Sequence, residues 1–188
     1  MTFFKKFFYF IFIVIFTITL FLTLFELLLH IFHKPITFPI EDRITHSETW
    51  AYLLKQQYIS FIDLDIYNIS EKRHLLDVKR VLESTYNVWL ILLGISFIGL
   101  TIFRKTYKVF IQQTAILGLI VSALLIVSSI NFISVFEFMH SLFFNAKTWI
   151  FPKESMLIEL FPLVYFQQFF FLFLIGSIIL FTTLSRNK

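Results

Sequence analysis

Two histidines carry what chemistry this sequence offers. His74 lies within the run "EKRHLLDVKR", the densest charge in an otherwise apolar chain, with Asp77 three residues on. In a helix, about 100° per residue groups His74 with Leu75, Val78, Val81 and Leu82, while Lys79, Arg80 and Glu83 face away. A titratable ring is thus aimed at whatever the apolar face packs on. His140 has Glu137 three residues before it and Phe144 four after, all on one helical face. Each ring taken singly is most simply an interfacial imidazole bonded to a backbone carbonyl. Two such rings at one membrane interface, flanked by Asp77 and Glu137, make a candidate acid/base dyad.

Other chemistries have weaker support. Zinc would accept His, Asp and Glu, yet there is no HExxH, and His74 with Asp77 is a weak ligand pair. Neither a metal nor a cofactor is expected. No serine sits in a GxSxG elbow and there is no cysteine, so catalysis would run by acid/base transfer and positioning, without an acyl-enzyme. Glu26 and His30 read as a helix-end ion pair, and His33 and His46 have no distinguishing context. Trp50, Trp89, Trp149 and Phe151 read as anchors at the membrane interface.

The elements that position these residues are membrane helices. In 188 residues, 58% are hydrophobic and 28 are phenylalanine, with a mean hydropathy of +0.82, which is too apolar for a soluble domain of this length. The net charge of +4 is divided among short loops, so no nucleic-acid partner is expected. Residues 1–188 read as one all-α polytopic membrane domain, with spans over about 7–32, 84–103, 109–136 and 162–184.

Lys5 and Lys6, then Arg104, Lys105 and Lys108, then Arg186 and Lys188 flank the spans with no acidic residue among them. Both termini are therefore expected in the cytoplasm, and segments of about 33–83 and 137–161 outside. The first span reads as a retained anchor, since no small-residue cleavage site follows it. The outer segments should form a small mixed cap of short strands plus helix. Pro35 and Pro39 bracket one extended piece, Ile62, Leu64 and Ile66 alternate in another, and Asn68 with Glu71 forms a capping box that starts the His74 helix.

Two patterns together resemble a known family. "SEKRHLLDVKRVL" resembles the "H, two residues, DVK" motif, and "FEFMHSLFFNAKTWIFPKESMLIELFP" the "FH, two residues, FF" motif with its downstream Trp and "L-P", of the bacterial lipoprotein intramolecular transacylases. The order of four spans, with outer segments after the first and third, is similar as well. Met139 stands where an aromatic often precedes the second histidine, and Glu154 with Ser155 where the family tends to place Asp.

The resemblance implies a bacterial cell-membrane enzyme whose site faces outward. It would move the sn-2 acyl chain of a diacylglyceryl-cysteine lipoprotein onto the cysteine's own α-amine, leaving an N-acyl lyso-form. By match, His74 and His140 would be catalytic, with Asp77 and Glu137 supporting, and the partners would be diacylglyceryl-modified lipoproteins and membrane lipid. An oxyanion stabiliser is also required, for which Arg43, Arg73 and backbone N–H groups are candidates. The rival readings are a non-catalytic membrane module that binds a lipid or a partner protein, and a transporter subunit. Transport is the weaker, because few polar residues lie in the middle of the spans.

Overall fold

The computed structural model describes residues 3–32, 43–55, 65–145 and 148–186. Among them, seven α-helices run in the order α1 (Phe3–Ile31), α2 (Arg43–Leu53), α3 (Ile69–Ile102), α4 (Tyr107–Ser129), α5 (Phe132–Phe143), α6 (Met156–Leu160) and α7 (Leu163–Arg186), with a 3₁₀ turn at Arg104–Thr106. Four helical stretches are long and apolar enough to cross a membrane: Phe4–Ile31, Ile69–Ile102, Arg104–Ser129 and Met156–Arg186. In the second of these, charge is confined to the first half, Glu71 to Glu83. That half is too polar for hydrocarbon, which leaves the uncharged run from Ser84 to cross.

The chain forms two compact units. The first comprises Met1–Leu29, Tyr86–Ile130 and Phe171–Lys188. Ile13, Phe110 and Ile111 make its core, with Tyr9, Phe12, Phe16, Leu100 and Phe103 packed around them. Hydroxyls tie its helices where apolar contact alone would leave register loose: Thr19 Oγ1 meets Ser96 Oγ at 2.8 Å, and the Trp89 indole N–H donates to Thr23 Oγ1 at 3.0 Å. Such bonds contribute roughly 0.6 kcal/mol each in a membrane.

Gly118 of α4 lies flat against the ring of the fully buried Phe181 of α7, and a methyl built on it would overlap that ring. Alanine in place of helical glycine normally stabilises by about 1 kcal/mol. Here the overlap reverses the sign, and Gly118→Ala is expected to lower stability by about 1–3 kcal/mol. Thermal unfolding in detergent checks this, and a raised midpoint would refute the packing.

The second unit comprises His30–Thr85 and Asn131–Phe170. The mixed strand cap expected from sequence is not supported, because all the regular secondary structure among the described residues is helical. The Pro35 to Pro39 piece, His33, and Ile62 and Leu64 lie outside the described residues. Ile66 sits in a turn, 42% exposed, while its neighbour Tyr67 is buried with its hydroxyl 2.8 Å from Thr49 Oγ1 of α2. An alternating strand would need the opposite facing. The helix α2 went unanticipated, since its mean hydropathy is near neutral and its burial comes from tertiary neighbours. It is linked to α3 by the Lys79 ammonium over the Tyr52 ring at 3.9 Å and by Lys55 with Glu83 at 3.1 Å.

The uncharged run read as one span over about 109–136 is two helices. α4 ends at Ser129, and α5 begins after Asn131, whose side chain accepts from Ser134 N–H at 3.3 Å. An asparagine cap starts a new helix because its carbonyl oxygen satisfies a first-turn donor. His140 is therefore carried on a separate helix of twelve residues, with Ile133, Phe138, Met139, Leu142 and Phe143 exposed on its outer side.

Candidate functional site

Asn68 and Glu71 form the reciprocal capping box that starts α3. Asn68 Oδ1 accepts from Glu71 N–H at 3.0 Å, and Glu71 Oε2 accepts from Asn68 N–H at 2.8 Å. Glu71 does more than cap. Its side chain is 2% exposed, and Oε1 accepts from the Ser155 hydroxyl and, at 3.2 Å, from Leu157 N–H. One carboxyl group thus joins the start of α3 to the start of α6. Sequence reading recognised the cap but missed this second attachment, for which Ser155 gave no local signal.

One turn beyond Glu71, His74 is 6% exposed. Its ring stacks with that of His140, centroids 6.2 Å apart and planes 24° from parallel. Phe144 touches both rings, at 4.8 Å from His74 and 5.5 Å from His140. Phe151 closes on His74 at 5.5 Å, and Trp149 on His140 at 5.0 Å. Trp149 and Phe151, expected as membrane anchors, also wall the imidazoles. Trp50 departs from that expectation, buried beside Phe161 and Tyr165. His46 joins that cluster, stacked on Phe161 at 4.8 Å.

The flanking acids stand differently. Asp77 is partly exposed and 3.5 Å from Arg80, close enough for its charge to act on His74. Glu137 is exposed on α5, and no hydrogen bond or ion pair joins it to either histidine among the described residues. Glu26 is buried in the first unit, whereas His30 is exposed. Arg43 and Arg73 are both exposed. No cluster of metal-binding side chains occurs among the described residues.

His140 Nδ1 lies 2.8 Å from the Phe136 carbonyl oxygen. A carbonyl only accepts, so Nδ1 carries the hydrogen and the neutral ring keeps its lone pair on Nε2. Burial lowers the His140 pKa, partly opposed by that bond. Outside the uncharged run of α3, His74 is lowered from 6.5 to about 4, first by burial, then by His140, with Asp77 opposing. Both rings are therefore neutral at pH 7, and protonating one resists protonation of the other.

Two polar atoms at this site are buried with no hydrogen-bond partner among the described residues, His74 Nδ1 and Trp149 Nε1. Each such atom costs about 1–3 kcal/mol. A neutral, stacked imidazole pair in an aromatic enclosure, next to an unsatisfied indole donor, suits proton transfer at an apolar substrate that itself brings hydrogen-bonding groups.

A family model described as lipoprotein intramolecular transacylase Lit matches residues 1–166. No curated protein and no solved structure matches the chain.

Proposed function

Because the chain belongs to the lipoprotein intramolecular transacylase family, we propose that it moves the sn-2 acyl chain of a diacylglyceryl-cysteine lipoprotein to the cysteine α-amine, with His74 and His140 as its acid/base pair. The observation that carries this reading is the stacked pair of imidazoles, 6.2 Å between centroids, held neutral by burial. The amine nitrogen attacks the ester carbonyl carbon, and the carbonyl electron pair moves onto oxygen. His140 Nε2, left with its lone pair by the Phe136 bond, takes the proton released from nitrogen. As the intermediate collapses, the C–O bond to glycerol breaks and the histidine pair returns a proton to the departing oxygen. Ester plus amine become amide plus alcohol, with no redox partner.

Donor and acceptor share one cysteine, so proximity replaces a second binding step and no acyl-enzyme is needed. Asp77 biases His74 toward its charged form, because its charge acts against the lowering by burial. Glu137, one turn before His140, is exposed, and its supporting part is the least constrained of the four residues. In this reading the pair lies at the outer membrane face, both termini are cytoplasmic, and the aromatic walls lie against acyl chains.

The test is a reporter lipoprotein expressed with this protein in a bacterium that lacks N-acylation, its N-terminal peptide analysed by mass spectrometry. An N-acyl, monoacylglyceryl cysteine is the expected product; an unchanged diacylglyceryl peptide refutes the reading. The pH dependence should carry the signature of lowered imidazole pKa values. The substrate amine, with a reference pKa of about 8, protonates first as pH falls, and the logarithm of the rate should drop with a slope of about one. Since burial puts both histidines below 6.5, the slope should steepen only below that pH. A pH profile of the protein in liposomes checks this, and a second break above 6.5 would mean an imidazole of ordinary or raised pKa.

A further inference from the structure

Aminolysis places negative charge on the ester oxygen, and neither arginine considered from sequence is placed to meet it, since Arg43 and Arg73 are both exposed. Several nearby backbone donors are already engaged. Phe144 N–H donates to His140 O at 2.8 Å, Thr148 N–H to Asn145 O at 2.9 Å, and Ser155 N–H to Pro152 O at 3.0 Å. Leu157 N–H is taken by Glu71. Trp149 differs from all of these. Its indole N–H is buried without an acceptor among the described residues, and its ring lies 5.0 Å from that of His140.

An indole nitrogen only donates, so what it lacks is an acceptor. His74 Nδ1, the other unsatisfied atom of the enclosure, belongs to a ring that can accept or donate. We infer that Trp149 is a further catalytic residue, whose indole N–H donates to the acyl carbonyl oxygen and stabilises the oxyanion formed when the amine attacks. This rests on the acyl-transfer reading above. As the C–N bond forms, the electron pair displaced from the carbonyl collects on the oxygen that accepts from Nε1; when the C–O bond to glycerol breaks, the pair returns to the carbonyl. The indole keeps its proton throughout. A donor fixed by packing favours the charged oxygen over the ground-state carbonyl, so its effect falls on turnover.

The sharpest test replaces Trp149 with β-(3-benzothienyl)alanine, which keeps the fused-ring shape and removes only the N–H. A second variant, Trp149→Phe, keeps an aromatic face on His140. Both are compared with the native protein in liposomes on a synthetic diacylglyceryl-cysteine peptide, with thermal stability measured in parallel. The expected result is a fall in kcat of about 100-fold or more for both, as for loss of one oxyanion donor, with KM within about threefold. Native kcat in the benzothienyl protein overturns the proposal. So does a loss that only tracks the amount of folded protein, with the rate per folded molecule unchanged. The native protein runs alongside: if it forms no N-acyl product the acyl-transfer reading itself fails, whereas native product with full turnover in the benzothienyl protein overturns only the role of Trp149.

Discussion

Alanine at His74 or at His140 is expected to remove nearly all turnover, about 100-fold or more for either, and the double variant is expected to be scarcely worse. The reason is the shared geometry. The rings stack at 6.2 Å, burial lowers both pKa values, and charge on one opposes charge on the other. On the proposed acyl-transfer mechanism, groups so coupled would act as one proton-transfer unit, and losing a member would disable the unit. The measurement is the fraction of reporter lipoprotein converted to the N-acyl lyso-form, at matched membrane abundance. Histidines with a purely structural part would lower abundance in roughly additive steps and leave the rate per molecule intact. That outcome would leave acyl transfer in place and return both histidines to a structural part, whereas no product from the native protein would favour the non-catalytic binding module. Substantial product from either single variant would defeat the dyad.

The second large effect is expected at Glu71, on stability. Glu71→Ala removes the acceptor for Asn68 N–H, the Ser155 hydroxyl and Leu157 N–H together. Stranded buried donors cost about 1–3 kcal/mol each, so a loss of about 3 kcal/mol or more is expected, with a several-fold fall in membrane abundance. Glu71→Gln keeps one carbonyl oxygen for Ser155 and Leu157 but turns its amide toward Asn68 N–H, and should lie between. Ser155→Ala should be the mildest, about 1 kcal/mol, because it removes one donor and strands none. Thermal unfolding in detergent ranks the three, and a Glu71→Ala protein as stable as the native one would remove this link from the account. The consequence for function is indirect. Glu71 precedes His74 by one turn, and its partners follow Trp149 and Phe151 closely in the chain.

Aromatic residues illustrate why local pattern was an incomplete guide. Tryptophan near a predicted span reads as an anchor, since an amphipathic ring suits the headgroup region. The same ring suits a wall beside an imidazole equally well, and only the neighbours distinguish the two. Trp89 donates to Thr23, Trp50 is buried with Phe161 and Tyr165, and Trp149 lies on His140. His46 was indistinct for the same reason: it is 2% exposed, with Phe161 and Tyr165 from a distant stretch of chain packed on it.

The sequence by itself determined what depends on short range. Uncharged runs near the length of a bilayer specified four apolar helices, the Asn68 and Glu71 spacing specified the start of α3, and the helical period put His74 on its buried face. These follow from backbone hydrogen bonding and from the cost of charge in hydrocarbon, which act over one to a few turns. The two motifs also carried the family, which the match over residues 1–166 establishes. Only the tertiary structure decided the stacking of His74 on His140, the second use of Glu71, and the unsatisfied indole of Trp149. Each depends on where residues remote in sequence come to rest, and packing sets that jointly through many weak contacts that no single stretch of sequence encodes.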